Sequence, residues 1–138
     1  MPKKQKQIAL QDLQNLTRRI PFNHLVGIRV VRRHRDGVTL ECAVRDELRN
    51  WAGVLHGGVT AAIADVAVGV AITNHFHEKR RATTTEMKLN YFLPVRDGKI
   101  LARSHLIRIG KTLVVGRVDL FDSQKRLAGA ALVSYMLL

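Results

Sequence analysis

The stretch from Gly57 to Asn74, GGVTAAIADVAVGVAITN, carries one formal charge, the carboxylate of Asp65. Burying an unpaired carboxylate costs several kcal/mol, so an acid in such surroundings is expected to be partnered, neutralised or used. Just upstream, NWAGVLHGG brings the amide side chain of Asn50, the imidazole of His56, and Gly57 and Gly58, whose backbone amides are free at a helix start. A carboxylate can relay a proton or attack an electrophilic carbon, and amides aimed from a helix start can stabilise an oxyanion. Both parts of such a reaction stand within one short segment.

The elements that must hold these groups follow from the hydrophobic period. Val59, Ala62, Ile63, Val66 and Val70 fall on one helical face, while Ala61, Ala64, Ala67, Val68 and Ala71 cover the rest. The segment is therefore predicted to be a helix that is apolar all round and buried. Residues 7–20 predict an amphipathic basic helix, with Ile8, Leu13, Leu16 and Ile20 on its apolar face and Pro21 as its stop. The period then changes to two: 24–34 and 38–44 flank an Arg35-Asp36-Gly37 turn, predicting a hairpin. Four more strands are predicted over 82–93, 99–109, 112–121 and 127–138, separated by turn signals. The class is α+β, an antiparallel sheet with one long central helix, and the chain divides as a helix over 1–20 and a domain over 21–138. One sheet face cannot cover a helix that is apolar on every side, so a second subunit is the expected cover.

Composition narrows the function. With 138 residues and 46% hydrophobic side chains the chain suits a single core. MPKKQKQ leads into IALQDLQNLTRRI instead of an apolar run, so no secretory signal is expected. The single cysteine, Cys42, excludes an internal disulfide, fits a reducing cytoplasm, and is expected in the core. The Gly57–Thr73 segment is short of the roughly 20 residues a membrane span requires and has Asp65 at its middle, so no membrane crossing is expected. A net charge of +12, clustered at Lys3, Lys4 and Lys6, at Arg29, Arg32, Arg33 and Arg35, and at Lys79, Arg80 and Arg81, favours anionic partners. Aromatic content is only 5% and is not interleaved with these clusters, which argues against nucleic acid.

Asn50, Gly53, His56-Gly57-Gly58, Asp65, Thr84, Glu86, Tyr91, Pro94-Val95 and Gly110-Lys111-Thr112, at their observed spacing, resemble the hotdog-fold acyl-CoA thioesterases. Among them the chain is most similar to the phenylacetate-pathway thioesterase group and to human thioesterase superfamily member 2, over roughly residues 20–138. The resemblance implies a sheet wrapped around the long helix, homodimers commonly paired into tetramers, and hydrolysis of an acyl-CoA to a free acid and coenzyme A. It implies no metal and no cofactor, coenzyme A being part of the substrate. It implies catalytic roles for Asp65, Gly57, His56, Asn50 and Thr84. Thr83 and Thr85, expected on the opposite sheet face, are weaker candidates than Thr84. Tyr91 and the turn Arg108, Ile109, Gly110, Lys111, Thr112 and Leu113 would then lie along coenzyme A. Some of Arg80, Arg81, Lys88, Arg108 and Lys111 would meet its phosphates.

Geometry agrees with a site made by two subunits. Gly57 and Asp65 are eight residues apart, about 12 Å along a helix, so one thioester cannot touch both in a single chain. The expected site combines Asn50, His56 and Gly57 of one subunit with Asp65 and Thr84 of the other. Asp65 would act as a general base toward water or as a nucleophile forming an anhydride, two routes the sequence leaves open. Several other constellations carry less. Gly110-Lys111-Thr112 lacks the first glycine of a phosphate loop, His75 and His77 lack a third metal ligand, and the chain has no Gly-x-Ser-x-Gly elbow. The rival readings are a hydratase or dehydratase acting on the same thioesters, a non-catalytic acyl-CoA-binding protein, and, from charge alone, a nucleic-acid module.

Overall fold

A computed structural model describes residues 7–138. The Lys3, Lys4 and Lys6 cluster lies outside the described residues. The described residues open with two short helices, α1 (Leu10–Arg19) and α2 (Pro21–Val26). The strands β1 (Arg29–Arg33) and β2 (Val38–Ala43) follow, then the long helix α3 (Gly57–Phe76), then β3 (Ala82–Tyr91), β4 (Lys99–Ile109), β5 (Leu113–Phe121) and β6 (Leu127–Leu137). All pairings are antiparallel, in one six-stranded sheet of order β1-β2-β4-β5-β6-β3. This is the expected hotdog arrangement of a sheet around a long helix.

The first expected strand is corrected in its opening half. Pro21 begins α2 instead of only ending α1, because its fixed φ and missing N–H suit the first helical position. Gly27, at φ 88°, then closes α2 in the left-handed conformation, and the strand starts only at Arg29. Leu13 of α1 is fully buried and belongs to the same core as the sheet.

The core lies between α3 and one sheet face. Ile63, Ala64, Ala67, Val68, Ala71 and Ile72 of the helix pack toward Leu40, Ile100, Val118 and Val133 of the strands, all fully buried or nearly so. The period-2 pattern of β6 buries Ala131, Val133, Tyr135 and Leu137 and exposes Leu132 and Met136. The expectation that α3 is buried all round is corrected for the single chain. A stripe through Ala61, Ala62, Asp65, Val66 and Gly69 is only half-buried: Thr84 and Tyr135 of the sheet touch it at Asp65 and Gly69, but the described residues leave it partly uncovered.

Candidate active site

His56 is the N-cap of α3 and its side chain accepts the Gly58 N–H at Nδ1, at 2.8 Å. Since Nδ1 accepts, the proton of a neutral ring sits on Nε2, which faces outward from the cap. The carbonyl of His56 takes the Val59 and Thr60 amides. Of the orphan amides at this helix start, the Gly57 N–H is therefore the one with no partner among the described residues. Gly58, whose amide the sequence left available, is occupied by the cap.

Two further side chains fix this helix end. Tyr91 donates its hydroxyl to the Gly57 carbonyl at 2.7 Å, and burial raises its phenol above the ordinary value. Asn50 accepts the Ala52 and Val54 amides on Oδ1 at 3.0 and 3.2 Å, so it organises the loop that precedes the helix. With Oδ1 so engaged, the Nδ2 amide is the donor it has left to offer. Asn50, Gly57 and Tyr91 line one cleft of about 330 Å³, together with Phe92, Leu93 and Pro94.

Asp65 lies two turns further along and belongs to a different cluster. Its Oδ1 receives the Thr84 hydroxyl at 2.8 Å and the Tyr135 hydroxyl at 2.7 Å. Tyr135 also reaches the Asp65 carbonyl, at 2.8 Å. Both hydroxyls meet the same carboxylate oxygen, and no partner of Oδ2 occurs among the described residues. The acid thus has neither of the environments that would idle it: it is half-buried, and no arginine or lysine pairs with it among the described residues. Burial first, and then the Asp65 charge, holds the Tyr135 phenol far above its usual range, so it stays protonated and donating.

Strand register makes this cluster. Thr84 pairs with Tyr135, and a bulge between Thr84 and Glu86 leaves Thr85 unpaired in the ladder. Tyr135 is on the buried face of β6, so Thr84 opposite it faces the helix, while Thr83 pairs with the exposed Met136. Thr85 turns its hydroxyl to the Ser134 carbonyl. Thr84 is thus the one of the three threonines that hydrogen-bonds Asp65. Gly69 is the other requirement: a Cβ there would sit 2.8 Å from the Tyr135 hydroxyl oxygen, so only glycine admits the phenol.

Tyr135 escaped the sequence reading. It sits among apolar residues in a strand at the end of the chain, 70 residues from Asp65, and only the β3–β6 register joins them. The turn Arg108–Leu113 closes β4 and β5, with the Gly110 amide bonded to the Leu113 carbonyl. It lies next to the Tyr135 end of β6, where Leu113 pairs with Met136, and lines neither the Gly57 cleft nor the larger cleft beside Asp65. Lys111 and Arg108 are exposed there. His75 stacks edge-on against Phe76, and the Arg80 guanidinium lies over the Phe76 ring at 5.8 Å.

Within one chain the groups fall into two sets. Asn50, His56, Gly57 and Tyr91 surround the start of α3, whereas Asp65, Thr84 and Tyr135 meet at its middle.

The family model of the thioesterase superfamily matches residues 52–128. The chain is 30% identical over 134 residues to the medium/long-chain acyl-CoA thioesterase YigI of Escherichia coli K12, covering 85% of each chain. Thioesterase HI1161 of Haemophilus influenzae superposes with a TM-score of 0.89 at 24% identity, over 96% of this chain and 92% of that one. A mutant of thioesterase PA1618 of Pseudomonas aeruginosa gives 0.88 at 20% identity, over 97% and 96%. Those two likenesses speak for the fold, and the first two findings speak for descent. The motif-bearing helix, the sheet wrapped around it and the matched sequence together make this chain a member of the thioesterase superfamily.

Proposed function

We propose that the protein is an acyl-CoA thioesterase, hydrolysing an acyl-CoA to a free carboxylic acid and coenzyme A in a site shared by two subunits. The observation that carries this reading is the division of labour along α3: Asp65 with one oxygen tied to two hydroxyls and the other free, and a helix start whose unsatisfied amide is that of Gly57. The two lie about 12 Å apart along the axis in one chain. A second copy whose helix runs antiparallel beside the half-buried stripe of the first would bring one Asp65 to the other's Gly57.

In that site the thioester carbonyl points at the Gly57 N–H, with the positive end of α3 behind it. The Nδ2 of Asn50 and the Nε2 of His56 orient the thioester. As general base, Asp65 takes a proton from water through Oδ2, the hydroxide adds to the carbonyl carbon, and the oxyanion rests on the amide. The C–S bond then breaks, and the thiolate of coenzyme A leaves with the proton from Asp65. As nucleophile, Asp65 attacks the carbonyl carbon through Oδ2, the C–S bond breaks to release the thiolate of coenzyme A, and water then cleaves the acyl anhydride to the free acid and a protonated Asp65, which gives its proton to the thiolate. Thr84 gives its hydrogen to Asp65, so it holds the attacking water by accepting from it. Tyr135, donating to the same oxygen, fixes the carboxylate and leaves Oδ2 to the water.

Tyr91 and the Arg108–Leu113 turn are proposed to follow coenzyme A; of the five expected cations, Arg80 and Arg81 line the cleft beside Asp65, and some of the other three, Lys88, Arg108 and Lys111, meet its phosphates. Coenzyme A enters and leaves as substrate, and no separate cofactor takes part. The E. coli relative's name assigns medium and long acyl chains to that protein, and we carry the aliphatic acyl class to this one.

The test is thiol release over acyl-CoAs of graded length, with Asp65→Asn as control, followed by subunit mixing. Asp65→Asn and a Gly57 variant are each expected to be inactive alone. Mixed in equal amounts they should recover about a quarter of the native rate, since half of random dimers are mixed and each carries one intact site. Inactive mixtures of exchanging subunits would refute sharing. A change in acyl unsaturation without thiol release would make the protein a hydratase. Tight binding without thiol release, unaltered by Asp65→Asn, would make it an acyl-CoA sensor.

A further inference from the structure

We propose that the cleft between the N-terminal helices and the C-terminal half of α3 seats the substrate's acyl chain, and that Leu16, Ile20 and Phe22 set the length it accepts. This rests on the thioesterase reading above. The cleft holds about 950 Å³, near the upper end of small-molecule sites. Leu16, Ile20 and Phe22 form one wall, and Val66 and Val70 of α3 the other. Ile20 and Phe22 are about half exposed, at 51% and 50%, although nothing polar attaches to either side chain. They are apolar surface that an inserted hydrocarbon would cover.

Continuity with Asp65 identifies the occupant. Tyr135, Val66 and Gly69 line the near end of the cleft, and Tyr135 is the residue whose hydroxyl binds the Asp65 carboxylate. A thioester carbon attacked at Asp65 therefore has an apolar trough beginning beside it. The smaller cleft at the helix start, by contrast, is bordered by the loop of Asn50 and by Tyr91. The far end of the trough is charged, at Glu78, Arg80 and Arg81, where a methyl terminus finds no further apolar wall.

The helix supplies the ruler. From Asp65 to Thr73, the last α3 residue on the cleft, is about 12 Å at about 1.5 Å per residue. Carbon–carbon bonds of about 1.5 Å advance a zigzag chain by about 1.3 Å per methylene, so an acyl group of about ten carbons spans the trough.

The experiment measures kcat/KM for straight-chain acyl-CoAs from butyryl to hexadecanoyl, and calorimetric affinity for the matching S-alkyl coenzyme A thioethers, which cannot be hydrolysed. The native protein should gain about fourfold per methylene up to roughly ten carbons and then level off. Thr73→Phe fills the far end, and should lower the decanoyl-to-butyryl ratio by roughly 50-fold, the effect of about three methylenes excluded. Phe22→Ala should move the plateau to longer chains, and it tests the wall from the opposite helix should Thr73→Phe fail to fold. A flat profile with active enzyme, or variants that leave the ratios as they were, overturns the inference while the thioesterase reading stands. Decyl thioether bound more tightly than butyl, with no acyl-CoA hydrolysed, supports the trough and refutes the thioesterase reading. Loss of dimer in Phe22→Ala with an unchanged chain profile would give the cleft to a second copy, and also overturns the inference.

Discussion

Replacing Gly57 by proline isolates a single hydrogen-bond donor. Gly57 is the first residue of α3, the position where a helix accepts proline because its amide is an orphan in any case. The preceding residue must be extended when proline follows, and His56 already has φ −60° and ψ 133°. The Gly57 carbonyl remains to receive Tyr91, and the His56 cap on Gly58 is untouched. The added Cβ would sit 3.3 Å from the Tyr91 hydroxyl oxygen, a contact relieved by a shift of a few tenths of an ångström at the end of an exposed side chain, and the proline Cδ takes the place of the amide hydrogen itself. Gly57→Ala adds the same Cβ and keeps the N–H, so it is the matched control. If the amide receives the oxyanion, Gly57→Pro should lower kcat about 100-fold to 1000-fold below Gly57→Ala, equivalent to about 2.7–4 kcal/mol of transition-state stabilisation. Thermal unfolding of the two should differ little, because proline at a compatible position stabilises by about 0.4–1 kcal/mol through the unfolded chain. Thiol release at saturating acyl-CoA, read with calorimetric melting, decides the matter. Gly57→Pro and Gly57→Ala turning over within tenfold of each other, both folded, would refute the assignment of the amide.

Three further outcomes follow from the same structure. Tyr135→Phe removes one of two hydroxyls on Asp65 Oδ1 and the donor to the Asp65 carbonyl, and should destabilise the fold by about 1–2 kcal/mol in chemical denaturation. Gly69→Ala pushes the same phenol away through a Cβ 2.8 Å from its oxygen, so the stability it costs in the same denaturation should not add to that of Tyr135→Phe in the double variant. Acid stability has a source remote from the site, at Asp36. Burial alone would raise its pKa, but hydrogen bonds from Arg103 and His105 outweigh burial and hold it at about 2, against an ordinary 3.8. A carboxylate depressed in the folded state contributes stability that is fully present above the unfolded value and lost as pH falls through the folded one. Asp36→Asn should therefore flatten the pH dependence of unfolding between about pH 4 and pH 2, as followed by circular dichroism. An unchanged slope there would remove Asp36 from the account.

What the residues fixed by themselves is what neighbours in sequence decide. The small apolar run from Gly57, the capping His56 before it and the lone charge of Asp65 specify a helix, its start and a conspicuous acid, since caps and helical periods involve residues within a turn or two. The alternation in β2 likewise marked a strand and its inward residues Val38, Leu40 and Cys42. Where two local signals competed the reading failed: Pro21 served as a stop for α1 and equally as a start for α2, and only packing against the core at Asn23 and Val26 selected the second helix.

Tertiary structure decided which distant side chains share a surface. Tyr135 joins Asp65 because β6 pairs with β3 in one register out of several that would keep alternation intact, and the bulge after Thr84 determines which threonine faces the helix. No property of residues 134–136 alone carries that information. The half-buried stripe on α3 was equally hidden, because an apolar helix records how hydrophobic its faces are but not which one the sheet will cover. Local energies act over a few residues and are written in the order of the chain. Register and cover instead arise from burying many side chains at once, a collective choice made only when the sheet closes on the helix.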